Sequence, residues 1–262
     1  MEGRTHGSET PAPARPASTV LLVRDGANGL ETFMVVRHHE IDFASGALVF
    51  PGGRVEEGDQ VIASDPALRA TVGGATQDLL ALRVAAIRET FEETGLLMAR
   101  GPGSDALVGP AMVERMEEAG GRADFAGAMA RHDLRPAVDA LVPFAHWITP
   151  VFMPKRFDTH FFIAAAPPDQ LGRHDGRESV DSVWIDPRRA LAEAEAGRYT
   201  IIFPTRLNLG LLGEAGSVDE ALALAAARRI VTVTPEPVRR EGDRRWLRIP
   251  AEAGYGGEVF EL

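Results

Sequence analysis

The sequence predicts an α/β or α+β sandwich, and three observations carry that reading. Short apolar runs of strand length are interspersed with helix-like stretches, a mixed order in which helices cover a sheet. Clusters of glycine, asparagine, aspartate and proline separate these runs. The helical material late in the chain is not continuous enough for an all-helical bundle, and no internal repeat is visible.

Taken in order, Thr19 to Val23 and Glu31 to Arg37 are apolar runs joined by Asp25-Gly26-Ala27-Asn28-Gly29, the chemistry of a hairpin turn. A third run, Gly46 to Phe50, ends at Pro51-Gly52-Gly53, where the backbone turns and can approach a ligand. Asp59 to Ala81 reads as a helical insertion interrupted at Gly73-Gly74, and Leu82 to Thr94 as a strong helix stopped by Gly95. The apolar content of 60–81, with Val61-Ile62, Leu68, Val72 and Leu79-Leu80, predicts an ordered excursion rather than a loose linker. Polar helical material follows in 101–134, around Ala111 to Glu118. Leu141 to Ile148, Thr159 to Ala165 and Val180 to Ile185 are the next strands, and a helix runs from Arg188 to Ala196. Asn208 to Leu212 and Val218 to Arg229 are helical, and Ile230 to Val233 and Arg244 to Ile249 close the chain as strands. The domain expected is 18–250, after a disordered leader over 1–17 rich in Pro, Ala and Gly, and before a tail over 251–262.

At 262 residues and 45% hydrophobic content, the chain can bury a core without staples. Its 28 basic and 38 acidic side chains leave a net charge of -10, which disfavours nonspecific binding to nucleic acid or to anionic membranes. Cysteine is absent, so thiolate catalysis and cysteine metal sites are excluded. No run of 18 apolar residues suggests a membrane helix, and a cytoplasmic location is the default expectation.

The densest chemistry lies in Arg88-Glu89-Thr90-Phe91-Glu92-Glu93-Thr94-Gly95. Helical positions three and four residues apart share a side, so Glu89, Glu92 and Glu93 project together. Such carboxylates repel unless a cation stands among them. A hard ion such as Mg2+ or Mn2+ neutralises them, retains waters and grips phosphate oxygens. Arg88 then orients one carboxylate or meets phosphate. Alone, the octapeptide also reads as a solvated acidic helix face; the glycine turn upstream favours the metal.

Gly52-Gly53-Arg54-Val55-Glu56-Glu57-Gly58-Asp59, together with Arg88 to Leu96, resembles the box of the Nudix hydrolases. Gly53 supplies the first glycine, Asp59 stands where glutamate is usual, and Thr90 replaces the usual hydrophobic residue. The 28 residues from Gln60 to Ile87 separate the halves where the standard box has seven, so the box is split by an insertion of 21 residues. That split is similar to the subgroup related to a peroxisomal coenzyme A diphosphatase. So is Pro154-Lys155-Arg156-Phe157-Asp158-Thr159-His160-Phe161-Phe162, with Trp184 and Phe203-Pro204-Thr205 beyond it.

The resemblance implies a Nudix-like α/β/α sandwich with a mixed sheet and helical insertions. It implies a pyrophosphohydrolase dependent on Mg2+ or Mn2+, acting on a small substrate in which a nucleoside diphosphate is linked to another moiety. Coenzyme A, ADP-ribose and NADH are the candidates, dinucleoside polyphosphates and nucleoside triphosphates stay open, and a homodimer is compatible with it. Glu89, Glu92 and Glu93 would bind metal, the Gly52 carbonyl adding a ligand, and Glu89 or a glutamate outside the box would help deprotonate water. A further acidic ligand from a polar loop is assigned to Glu178. Arg88 joins the catalytic group, and Arg37, Arg54 and Arg156, with Gly52 and Gly53, form the substrate-binding set. Asp158 would orient Arg156 through a bidentate pair. The other class of function is a ligand-sensing or scaffold domain that kept the fold and lost turnover. His38, His39, His146, His160 and His174 show no zinc spacing and read as surface or packing residues.

Overall fold

The central element is an eight-stranded mixed sheet in the order β10-β7-β8-β1-β2-β3, with β4 also on β1 and β9 also on β2. Along the chain the elements are β1 (Arg15–Gly26), β2 (Gly29–Arg37), β3 (Leu48–Val49), β4 (Gly52–Arg54), α1 (Glu57–Ala63), α2 (Pro66–Thr71), α3 (Gln77–Thr94) and β5 (Ala99–Arg100). They continue as α4 (Pro110–Glu118), α5 (Phe125–Arg131), β6 (Arg135–Pro136), β7 (Val142–Ile148), β8 (Phe157–Ala165), β9 (Ser179–Ile185), α6 (Pro187–Glu195), α7 (Phe203–Leu212) and α8 (Val218–Ala227). The last are β10 (Thr232–Val233), β11 (Glu236–Glu241), β12 (Arg244–Arg248) and β13 (Val259–Glu261). The computed structural model describes residues 12–37, 46–73, 75–172, 179–242 and 244–262.

The β1–β2 hairpin forms with Gly26 opposite Gly29 around Ala27-Asn28, and Gly29, at φ 121°, takes a backbone conformation that favours glycine where the chain re-enters the strand. β1 begins at Arg15 because it pairs in parallel with β8 from Arg15↔Phe157 to Val23↔Ala165. The expected leader is therefore too long: Arg15 to Ala17 are strand, and 1–11 lie outside the described residues. The other parallel pair is β10 with β7; the remaining ladders of this sheet are antiparallel.

Each face of the sheet carries a core. On one, Val20, Leu22, Phe33, Val35, Phe162 and Ala164 meet Leu80, Val84, Ile87 and Phe91 of α3. On the other, Leu21, Val23, Met34, Trp147, Phe161 and Ile163 pack with Ala190, Leu209, Leu212, Ala221 and Ala225 from α6, α7 and α8. The alternation of neighbours along β1 and β8 between the two cores is the period-2 signal of a sheet covered on both sides. The architecture is the expected α/β/α sandwich.

The insertion is ordered: α1 and α2 fold back on α3, with Ala63 and Leu68 buried in the same core. The C-terminal part of the chain departs from the expectation. The segment 251–262 is no simple tail, since β13 pairs with β12, and the polar strand β11 completes that small sheet. Among the described residues, no helix is long and apolar enough to cross a membrane.

Candidate active site

α3 runs 18 residues, starting earlier than its acidic end suggested. Thr76 caps it by accepting from the Leu79 N–H at 3.3 Å. Gly95, at φ 71°, ends it, its N–H donating to the Phe91 carbonyl. Its apolar residues hold it on the sheet, and Ser18 Oγ of β1 donates to the Leu82 carbonyl at 2.6 Å. Its C-terminal half thereby lies over β4, the glycine turn.

There the chain is packed so closely that a side chain at either glycine would meet a neighbour. A Cβ on Gly52 would stand 2.3 Å from the Ser18 carbonyl oxygen and 2.7 Å from Thr19 Cα, and backbone cannot yield. A Cβ on Gly53 would stand 2.3 to 2.6 Å from the Glu89 carboxylate, which can swing aside. The Gly52 N–H donates to Glu93 Oε2 at 3.0 Å, so turn and helix are joined through a carboxylate. The two glycines should therefore respond differently. Gly52→Ala is expected to cost about 2–4 kcal/mol of stability, read by chemical denaturation. Gly53→Ala is expected to fold as the parent and lose roughly a hundredfold in turnover, because Glu89 is displaced by about 1 Å.

Arg88 organises the carboxylates. Its Nε and Nη2 meet Asp59 Oδ1 and Oδ2 at 2.9 and 3.0 Å. Nη1 lies 2.9 Å from Glu92 Oε2 and 3.0 Å from Glu89 Oε1, and Nη2 also donates to the Arg54 carbonyl at 2.8 Å. The Asp59 side chain is fully buried and takes a further bond from the Glu56 N–H at 2.8 Å. One guanidinium thus spans the split in the box, gripping the residue that ends its first half and two that begin its second. All three of its nitrogens are engaged by protein, an orienting arrangement rather than a phosphate contact. Burial alone would lower the Arg88 pKa; bonding to Asp59 and the charges of Glu89, Asp59 and Glu92 override it and raise it well above the ordinary value.

Glu92 behaves oppositely. Burial, with the nearby Glu89 charge adding and Arg88 opposing, pushes its carboxyl up to about 7. Burial and the Glu89 charge disfavour the anion there, and a cation beside it would favour it. Glu93 is buried, not solvent-facing, while Glu89 and Glu92 retain some exposure. Three carboxylates beside a glycine turn are an oxygen-rich donor set that fits a hard divalent ion.

The remaining expected residues are more dispersed. Arg54 is exposed, and its carbonyl accepts from Arg88 Nη2. Arg37 ends β2, where its N–H donates to the Ala47 carbonyl. Arg156 bonds backbone: its Nε donates to the Thr149 carbonyl at 3.0 Å and Nη1 to the Ala12 carbonyl at 2.7 Å. Asp158 does not orient it; instead Asp158 Oδ1 lies 2.5 Å from His146 Nε2, while Arg156, just before β8, is claimed by those two carbonyls. Glu178, His38, His39 and His174 lie outside the described residues.

The sequence reading also passed over a His/Asp cluster able to coordinate a divalent metal. His146, Asp158 and His160 each offer a ligand atom, all within 4.8 Å of one another. Pairing of β7 with β8 sets His146 opposite His160, and their rings stack at 4.0 Å. Burial, then the adjacent His146, drives the His160 imidazole down to about 4, leaving it neutral near pH 7. The one legible hint was Asp158 and His160, two residues apart on one strand.

Residues 64–208 match the family model described as the NUDT19 Nudix domain. The chain belongs to the NUDT19 Nudix family. This Nudix chain is 23% identical over 276 residues to an acyl-coenzyme A diphosphatase NUDT19 of Xenopus laevis, spanning 89% of the chain and 70% of that relative. The human protein of the same name is 30% identical over 191 residues, covering 67% of the chain and 48% of that relative. Among solved structures, a NUDIX hydrolase from Alicyclobacillus acidocaldarius aligns with a TM-score of 0.66 and 27% identity, covering 80% of the chain and 96% of its counterpart. The chain is thus a Nudix-type pyrophosphohydrolase with a candidate metal-binding site.

Proposed function

We propose that the Nudix site hydrolyses the diphosphate of coenzyme A or its thioesters, using Mg2+ or Mn2+ held by Glu89, Glu92 and Glu93 with the Gly52 carbonyl. The observation that carries the metal reading is the carboxylate cluster at the glycine turn: Glu93 accepts from the Gly52 N–H, Glu89 packs against Gly53, and Glu92 shares Arg88 with Glu89. The coenzyme A preference is supported by the names of the relatives above.

The bound ion supplies charge neutralisation and activation of water. The chain supplies the geometry. Arg88 and Asp59 fix the helix relative to the turn, so Glu89 is positioned to receive the proton of an attacking water. The water oxygen bonds to phosphorus as the bridging P–O bond breaks, and the bridging oxygen leaves with the electron pair on the second phosphate. Exposed Arg54 stands ready to meet that charge.

The decisive assay offers coenzyme A, ADP-ribose and NADH separately with Mg2+ or Mn2+. Coenzyme A should yield phosphopantetheine and adenosine bisphosphate. Faster turnover of ADP-ribose or NADH would overturn the substrate assignment and leave the hydrolase intact. No hydrolysis of any of them would favour the ligand-sensing alternative.

A pH prediction follows from Glu92. Its carboxyl holds a proton in the fold up to about 7, well above its ordinary value of 4.5. Its contribution to stability is therefore present below the unfolded value and lost as pH rises through 7. In chelator the protein should lose stability over that window, and Mg2+, binding the anion, should restore it. The expected result is a thermal shift on Mg2+ addition that is larger at about pH 8.5 than at about pH 6. A shift that shrinks with pH would remove Glu92 from the ligand set.

A further inference from the structure

We infer that His146, Asp158 and His160 form a second metal site, suited to zinc or a similar first-row transition ion and separate from the carboxylate cluster. The donor chemistry differs: two imidazoles and one carboxylate suit zinc, whereas the all-oxygen cluster at the glycine turn suits magnesium.

The geometry is nearly assembled. Asp158 Oδ1 is 2.5 Å from His146 Nε2 and 4.0 Å from His160 Nε2. A tetrahedral zinc about 2.0–2.1 Å from each donor needs donors about 3.3 Å apart. The first gap must open and the second close by under 1 Å each, within reach of small side-chain rotations. The carriers are rigid, since the β7–β8 ladder sets His146 opposite His160 and Ile148 opposite Asp158.

The surroundings fit as well. Thr232 Oγ1 of β10 lies 2.8 Å from His146 Nδ1. With Nδ1–H donating to that hydroxyl, Nε2 turns its lone pair toward Asp158, the supporting bond that metal-binding histidines commonly make. The three side chains are 17%, 37% and 30% exposed, open enough to admit an ion and leave a coordination position for water or a ligand oxygen. The site shares the catalytic helix's face of the sheet: His160 lies on the same face of β8 as Phe162, over which Arg83 of α3 stands at 5.2 Å. β1 lies between it and the turn, with Ser18 paired to both His160 and Gly53, so the two sites are about two strand spacings, or roughly 10 Å, apart.

The test is cobalt substitution. Metal-stripped full-length protein is titrated with Co2+ while visible absorption is recorded, then with Zn2+ in competition. The expected result is one equivalent of strongly absorbing, low-coordinate Co2+, displaced by Zn2+ and indifferent to excess Mg2+. Glu92→Gln and Glu93→Gln should leave that absorption unchanged. His146→Gln, His160→Gln and Asp158→Asn should each weaken binding at least about tenfold with folding checked by circular dichroism; the three variants guard against misfolding of any one. Absorption that vanishes in the glutamate variants, persists in all folded histidine and aspartate variants, or never arises in the parent would overturn the site.

Discussion

Glu92→Gln and Glu93→Gln are each expected to lower turnover about a thousandfold with folding preserved, because each removes an anionic ligand worth several kcal/mol to the transition state through the metal. The reasons folding survives differ. Glu92 sits at the protein's edge with its carboxyl near neutral already, so an uncharged amide should be tolerated or even stabilising without metal. Glu93 is buried, and its Oε2 accepts from the Gly52 N–H; glutamine keeps an acceptor oxygen for that bond. Measurement of kcat at saturating Mg2+ beside a thermal melt separates the effects. Parental turnover by the double variant, or by the parent in excess chelator, would sink the carboxylate mechanism.

Asp59→Asn is expected to destabilise the protein by about 3–5 kcal/mol, since it leaves the buried Arg88 charge without its bidentate partner. For a chain of this size that corresponds to roughly 6–20 °C in Tm. Replacing both partners by apolar residues, Asp59→Leu with Arg88→Met, should recover part of the stability because the fully buried Asp59 charge is gone, while Glu89 and Glu92 lose their counter-charge. Activity should not return, as Glu89 and Glu92 lose the guanidinium that orients them. Denaturation midpoints for the single and double variants decide it. A loss below about 1 kcal/mol in Asp59→Asn would mean that the pair behaves like an exposed ion pair.

The parts legible in the sequence were those governed by short-range chemistry. The hairpin at Gly26–Gly29 and the stop at Gly95 follow from backbone conformations that glycine adopts freely. The acidic face of α3 follows from helical spacing. What escaped depends on partners distant in sequence. Parallel pairing of β1 with β8 recruits Arg15 to Ala17 into a strand that local composition does not announce. The meeting of His146 with His160 depends on strand register across the β7–β8 turn, which no spacing rule gives. Arg156 and Asp158 invited pairing as near neighbours, but partners from other segments claim each, the Ala12 carbonyl for Arg156 and His146 for Asp158. β11, exposed throughout and rich in arginine and glutamate, lacks the apolar signal by which strands are recognised.

The clasp between Asp59 and Arg88 also says why the box tolerates being split. Stretching the tether between them from seven to 28 residues is two doublings of a closed loop, an entropic penalty of about 1.2 kcal/mol. That is smaller than the 3–5 kcal/mol at stake in the buried pair, and the packing of Ala63 and Leu68 offsets more of it. The junction is therefore a permissive locus: foreign peptide grafted between α2 and α3 should leave catalysis standing so long as the two ends still meet.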